Sequence, residues 1–159
     1  MRKYSDEMSL STLPIFDWSK EDFNFNVPVS FSGSPMVDFV IEQGTASMGS
    51  NGTWHWRKWA SGKAECWGQR NFGGMAVSTA WGSLYESASL TQSFPSGLFA
   101  SAPDYCSIEY IKGSANAWVV KGFNNDISAT STGKFNVVRP YSGNITQAYL
   151  GFNVIGKWK

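Results

Sequence analysis

Apolar and polar residues alternate along much of this chain at the spacing typical of β-strands. The longest run is residues 23–31, where apolar side chains occupy every second position between Asn, Pro and Ser. Strict alternation of this kind predicts a strand with one buried face. Pro28 cannot donate to a strand ladder, so we expect this strand at a sheet edge or in a loosely paired stem.

Shorter β-favouring runs follow, separated by Gly or Asn, at intervals of about ten residues. A strand at 37–42 precedes a loop at 44–52 that is rich in Ser, Gly and Thr. Beyond a central hairpin, 69–74 reads as a loop, and two further segments lie at 81–85 and 90–94. Strands are then predicted around residues 105–110, 117–121, 128–132, 134–139 and 147–155.

The central hairpin is the most informative segment, because residues 53–68 contain four of the eight tryptophans. Its two aromatic-rich runs are joined by Ala60-Ser61-Gly62, a short break that favours a β-hairpin. A three-residue loop would pair Arg57 with Glu65 and Trp54 with Gly68, whereas a four-residue loop would flip one strand. The first register places two groups on opposite faces: His55, Arg57, Trp59, Lys63, Glu65 and Trp67 on one, and Trp54, Trp56, Lys58, Ala64 and Cys66 on the other.

Composition supports an all-β fold. Aromatic residues make up 16% of the 159 residues, charged residues only 16%, and there are 16 glycines. Many aromatics and turn formers with few charges suit short strands rather than a helical bundle. We expect an antiparallel β-sandwich of jelly-roll type at residues 36–159, preceded by an N-terminal arm, stem or attachment segment at 1–35.

Charge and hydropathy exclude several classes of partner. The formal net charge is +1, with 13 basic and 12 acidic residues and no charged block. Strong attraction to nucleic acid or to anionic lipid is therefore not expected. No apolar stretch reaches the ~18–20 residues that span a bilayer. The first eight residues lack the apolar core of a signal peptide, so we expect no export by the secretory route.

Catalytic and metal-binding patterns are missing from the sequence. His55 is the single histidine, and no serine or cysteine stands in a nucleophile-elbow pattern. The two cysteines, Cys66 and Cys106, have no metal-ligand spacing, and packing as free thiols is favoured over a disulfide. Asp38 and Glu42 would lie about 13 Å apart on a strand, too far for a glycosidase pair. We expect no enzyme, no cofactor and no metal.

A family resemblance adds to this interpretation. The runs Asp38–Thr45, Trp54–Gly62 and Ala64–Gly68, with Phe25–Phe31 before them, resemble the C-terminal region of minor structural and tail-fibre proteins from phages of Gram-positive bacteria. The similarity covers residues 16–82 well, the ending Ile155–Lys159 moderately, and 83–150 only in general character. Residues 46–51 look like an insertion at a loop tip.

The resemblance implies a virion protein assembled in the host cytoplasm, often a homotrimer, that adsorbs to the host surface through glycan binding. Other virion proteins would bind the N-terminal segment, and neither nucleic acid nor membrane is an expected partner. A purely structural role as head fibre, capsid decoration or tail-tip protein is the alternative, and a glycan-degrading tail enzyme is a third.

Aromatic residues could serve as core or as a platform for sugar rings, which stack on them. The hairpin residues Trp54, Trp56, Arg57, Trp59, Glu65 and Trp67 are interpreted as core or subunit interface, because the resemblance concerns a structural motif. Recognition is expected in the half of the chain with weaker resemblance. The candidate ligand-binding residues are Tyr85, Phe99, Tyr105, Trp118, Phe123, Asn124, Asn125 and Tyr141.

Overall fold

The structure, a computed structural model, describes residues 30–31, 34–35, 38–121 and 126–159. The chain divides into two units, Met1–Asp38 and Phe39–Lys159. In the first unit, strands β1 (Ser30–Phe31) and β2 (Ser34–Pro35) form an antiparallel pair. The remainder of the predicted arm, including most of the alternating run 23–31, lies outside the described residues.

The second unit contains two antiparallel sheets of five strands each. The first sheet has the order β3-β4-β5-β12-β8, formed by β3 (Val40–Ser47), β4 (Gly52–Trp59), β5 (Lys63–Asn71), β12 (Ala148–Lys157) and β8 (Tyr105–Gly113). The second sheet has the order β11-β6-β7-β10-β9, formed by β11 (Gly143–Ile145), β6 (Met75–Trp81), β7 (Leu84–Ser87), β10 (Phe135–Arg139) and β9 (Trp118–Lys121). Nearly all of the regular structure in the described residues therefore lies in two stacked layers.

Aromatic rings from both sheets meet in one core, which confirms the predicted β-sandwich. Phe135 of the second sheet packs edge-to-face on Phe152 of the first, with ring centroids 6.0 Å apart. Trp54 is fully buried and packs against Phe152 at 5.6 Å. Its indole Nε1 donates a hydrogen bond of 2.9 Å to the Ser93 carbonyl, which satisfies its one polar atom.

The predicted register of the central hairpin is confirmed. Trp54 pairs with Gly68, His55 with Trp67 and Arg57 with Glu65. The loop has three residues, and Gly62 adopts a φ of 96° while its N–H donates to the Trp59 carbonyl at 3.0 Å. Only glycine adopts that backbone conformation readily, which explains why the loop closes at this position.

The segment after β7 closes one side of the sandwich without forming a strand. Leu90 and Ser93 make only isolated bridges, while further side chains enter the core: Phe94, Leu98 and Phe99. Gln92 is 3% exposed, and its Nε2 donates to the Met48 carbonyl at 3.2 Å. Its Oε1 accepts a 2.8 Å hydrogen bond from Arg70. These bonds satisfy a buried amide and attach the segment to the first sheet.

Several predicted boundaries are wrong. The loop expected at 44–52 comprises only residues 48–51, because β3 continues to Ser47. Met48 within that loop is buried, and its sulfur occupies the space above Gly68 where a Cβ would lie. Residues 128–132 were expected to be a strand but form only one bridge, at Ser131. Two strands in the second sheet, β6 and β11, have too many small or polar residues to be predicted from periodicity.

The two cysteines face the core and are free. Both are partners of Val154, Cys66 on one side and Cys106 on the other. Two strand spacings separate them, about 9.6 Å, whereas a disulfide requires Cα atoms about 4.4–6.8 Å apart. Burial raises the pKa of the Cys66 thiol far above its ordinary value, and burial also raises the pKa of Cys106.

Candidate functional site

The outward face of the first sheet has a depression at its centre. Strand β12 lies between β5 and β8, and its outward position Gly151 pairs with Gln69 on one side and Glu109 on the other. In the next row, Asn153 pairs with Trp67 and with Ser107. Because Gly151 has no side chain, the Ile111 side chain of β8 lies close over the sheet here, and the surface stays lower than at the neighbouring positions. We call this surface, the outward face of β3, β4, β5, β12 and β8, the grooved face.

The depression is a groove with a volume of about 510 Å³. That is within the range of pockets that hold small organic ligands, roughly 300–1,000 Å³. The lining residues are His55, Trp67, Gly68, Gln69, Ser107, Glu109, Ile111, Gly151, Phe152 and Asn153. Ile111 closes the groove at the β8 edge, where its Cδ1 lies 2.5 Å from the position that a Cβ on Gly151 would occupy. The Ile111 side chain therefore covers the backbone of Gly151, and a side chain at position 151 would collide with it.

An aromatic wall stands opposite Ile111. The His55 and Trp67 rings stack with centroids 5.9 Å apart and an interplanar angle of 22°. Trp67 is 39% exposed, unlike Trp54 on the opposite face of the same hairpin. An exposed indole held flat by a neighbouring ring offers an apolar surface at low conformational cost.

Polar groups surround the rest of the groove. Glu109 is exposed and accepts a 3.3 Å hydrogen bond from the Ser107 hydroxyl, so it contributes a negative charge and free acceptor capacity. Gln69 and Asn153 are also exposed, and each amide can both donate and accept. One apolar wall with amide, hydroxyl and carboxylate groups beside it can bind a ligand that has an apolar face and several hydroxyls.

A cluster of charges adjoins the groove beyond Trp67. Glu65 is nearly buried, and it accepts a hydrogen bond from Arg57 Nε and lies 3.5 Å from Lys63 Nζ. The Arg57 guanidinium lies 4.8 Å from the centre of the Trp59 ring and 5.2 Å from that of Trp67. Cations and aromatic rings thus alternate along the hairpin, which holds the guanidinium in one position.

Lys157 adds a further positive charge to this part of the grooved face. It pairs directly with Lys63 across β12 and β5, and it is exposed. We call Arg57, Lys63 and Lys157 the cation cluster. Glu65 is the one carboxylate among them, so the cluster keeps an excess of positive charge.

The candidate ligand-binding residues predicted from sequence are scattered over the molecule. Tyr105 is exposed on the grooved face, two residues from Ser107, and Trp118 is exposed on the outward face of the second sheet. Tyr141 is exposed after β10, and Tyr85 is half-buried against the core. Phe99 packs on Phe94 inside the core, so its ring is not available to a ligand. Phe123, Asn124 and Asn125 lie outside the described residues.

None of the described candidates lines the groove, and the hairpin 53–68 supplies three of its residues, His55, Trp67 and Gly68. The other hairpin residues lie on the two faces that the strand register predicts. Trp54 is in the core, and Trp56 is partly buried against it, whereas Trp59, Arg57 and Glu65 point outward.

One sequence signal could have indicated the groove. Along β12 the inward residues Leu150, Phe152 and Val154 are apolar, while Gly151 and Asn153 stand at outward positions. A glycine inside a regular strand often marks the close approach of a ligand or of another chain. The contributions of Gln69, Ser107, Glu109 and Ile111 depend on strand order, which alternation alone does not provide.

Comparisons of the chain with known protein families, with curated proteins and with solved structures find no match. Within residues 38–121 and 126–159, no group of three or more His, Cys, Asp or Glu side chains is arranged to hold a metal ion. The described part of the chain also has no helix long and apolar enough to cross a membrane.

Proposed function

We propose that this protein binds a cell-surface glycan in the groove of its first sheet, as the distal domain of a phage virion appendage that adsorbs to its host. The observation that carries the proposal is the groove itself. A stacked indole stands across a floor formed by Gly151 and the Ile111 side chain, and amide, hydroxyl and carboxylate groups stand within the same depression. Sugar rings combine an apolar face with hydroxyls at the rim, which is the ligand chemistry these groups would bind.

The phage context comes from the resemblance of residues 16–82 to minor structural and tail-fibre proteins. In this proposal the protein is part of a virion, and its N-terminal segment attaches to other virion proteins. A homotrimer would present three identical grooves to the same surface. An open groove favours weak binding at each site, and several linked sites would raise the overall affinity through avidity.

A purely structural role in the virion is the second candidate, and the outward face of the second sheet favours it. Trp81 is 51% exposed and Trp118 is 43% exposed on that face. Exposed indoles on a face with few charges are typical of surfaces that pack against another protein. The two roles are compatible if one face attaches the domain and the other binds a glycan.

Glycan cleavage is not proposed, because it requires two carboxyl groups about 5–9.5 Å apart. The acids on the grooved face are Glu109 and Glu65, which lie on β8 and β5 with β12 between them. Glu109 is in the row of Gly151 and Glu65 in the row of Ile155. Four residues along the strand and two strand spacings separate their backbone positions by about 16 Å.

The test is binding of the purified protein to a glycan array and to isolated cell walls from a panel of Gram-positive bacteria. We expect Trp67→Ala to lower binding about fivefold or more, because removal of one aromatic ring that stacks on a ligand costs about 1–3 kcal/mol. The matched control is Trp81→Ala, the same substitution at an exposed tryptophan of the other sheet, which should leave binding unchanged. Equal losses in both variants, or no binding by the wild-type protein, would contradict the proposal.

A further inference from the structure

We infer that the glycan bound by this protein is acidic, and that the cation cluster of Arg57, Lys63 and Lys157 binds its phosphate or carboxylate groups. This inference rests on the proposed function, since it names the chemical class of the ligand that would occupy the same face. It assigns a binding role to the cation cluster, which lies beside the groove and is not needed for binding within the groove itself.

Charge at this position exceeds what the fold needs. Glu65 already has a direct partner in Arg57, whose Nε donates to Oε1. Lys63 lies 3.5 Å from the second carboxylate oxygen, so two cations share one acid. Lys157 stands beside Lys63 in the cross-strand pair and makes no ion pair within the described part of the chain. Like charges directly opposite each other on a sheet are destabilising, so the pair has a cost that an anionic ligand would remove.

Hydrogen-bond donors in the cluster are also unused. Arg57 uses its Nε for Glu65, and its two terminal amino groups make no hydrogen bond to the described residues. Glu65 and the flanking rings of Trp59 and Trp67 fix the guanidinium plane. A fixed guanidinium with two free amino groups matches the paired oxygens of a phosphate or a carboxylate.

The spacing suits one continuous ligand. Trp67 lies two residues from Glu65 and four from Lys63 along β5, which corresponds to about 7 Å and 13 Å. A polymer whose ring stacks on Trp67 would therefore carry its next substituents over the cation cluster. Glu109 lies on β8, and Gly151 and Asn153 of β12 separate it from the cation cluster. The charge on the grooved face is therefore divided. The negative charge of Glu109 is on the β8 side, and the excess of positive charge is at the end of the hairpin.

Isolated Gram-positive cell walls are the probe, and the principal variant is Lys63→Gln with Lys157→Gln. This double variant keeps the Arg57–Glu65 pair, so the fold should be retained, which circular dichroism checks. We expect wall binding at 50 mM salt to fall about tenfold or more, and the wild-type affinity to decrease between 50 and 500 mM salt with a steeper slope than that of the variant. Lys134→Gln removes one exposed charge elsewhere and should change binding less than twofold.

Chemical treatment of the walls distinguishes the two sources of negative charge. Hydrofluoric acid removes phosphodiesters, and carbodiimide coupling with a neutral amine blocks carboxylates. Loss of the salt-dependent component after the first treatment identifies phosphate, and loss after the second identifies carboxylate.

The outcomes separate this inference from the proposed function. If Trp67→Ala abolishes binding while the double variant binds like the wild type with no salt dependence, the ligand is neutral and the inference is overturned, whereas the groove remains the site. If the wild-type protein binds no wall, the proposed function fails and the inference fails with it. Loss of binding in both Trp67→Ala and the double variant, with the expected salt dependence, supports both.

Discussion

The two outward faces of the sandwich differ far more than the two inward faces. At their centres both inward faces are apolar, and they meet through Phe135 and Phe152. The grooved face carries charged side chains of both signs and a central depression. On the outward face of the second sheet, Glu86 is the one ionisable side chain in the described strands. It pairs with the fully buried Val138, and the exposed Trp81 and Trp118 lie on the same face.

This difference separates the features that the fold requires from the features that it does not require. A β-sandwich needs apolar inward positions, and both sheets meet that need in the same way. The fold has no requirement for stacked aromatic rings or paired lysines on an outward strand surface. Those features occur together on one face only, and it is the face on which we propose that a ligand binds.

The largest expected effect separates inward from outward tryptophans of one hairpin. Trp54→Ala should lower the free energy of unfolding by about 3–5 kcal/mol, because it empties a fully buried site and removes the bond to the Ser93 carbonyl. Trp67→Ala should cost less than about 1 kcal/mol, since its ring is partly in solvent. Urea unfolding of both variants measures the difference, and similar costs would mean that the two faces are not distinct.

A second prediction uses the thiols, which lie on the inward face of the first sheet. Because burial raises their pKa values, both thiols of the folded protein lose their protons at higher pH than those of an unfolded chain, which releases them above about pH 8.5. Below that pH both states are protonated and the thiols leave stability unchanged. Above it, the free energy of unfolding should fall with rising pH, by up to about 1.4 kcal/mol per pH unit for each thiol.

Denaturant unfolding between pH 8 and pH 10.5 measures this slope, and Cys66→Ala provides the comparison because it removes one titrating group. We also expect neither cysteine to react with a disulfide reagent in the native protein at pH 8, since the thiolate is the reactive form. Rapid labelling of the native protein would show that the inward face is open to solvent.

A smaller effect is expected from the carboxylate under the cation cluster. Glu65→Gln keeps the shape of the side chain but removes the charge that holds Arg57 and Lys63. The expected cost is about 1 kcal/mol in the free energy of unfolding at low salt, and less at 1 M salt, where partly exposed charges are screened. An unchanged stability at low salt would mean that the carboxylate does not offset the positive charge of the grooved face.

The smallest effect should come from the second outward face. Trp81→Ser and Trp118→Ser remove exposed rings, and each should change the stability of an isolated domain by less than about 0.5 kcal/mol. Light scattering then compares the mass of the wild type and the double variant. A lower mass for the variant would show that this face packs against another copy, whereas a change in glycan binding would contradict the separation of roles between the two faces.

Local patterns were enough for the hairpin and for the class of fold. The three-residue loop ending at Gly62, the alternation along residues 53–68 and the Arg57–Glu65 pair are all features of neighbouring positions, and each predicted register pair matches the structure. Segments with strong β-formers, such as β8, β10 and β12, were also located within a few residues. Weakly apolar segments such as β6 were missed, because Ala, Ser and Thr give little alternation.

The sequence by itself determined that alternate residues of each strand face opposite ways, so Trp54 and Trp67 had to lie on different faces of the hairpin. It did not determine which face would be covered, since both carry tryptophan. Only the tertiary structure decided this, by placing the second sheet on the side of Trp54 and by inserting β12 between β5 and β8. That insertion brings Gly151 between Gln69 and Glu109, positions 40 to 82 residues apart in the chain. Such long-range pairing depends on the burial of the whole sandwich, which no local pattern contains.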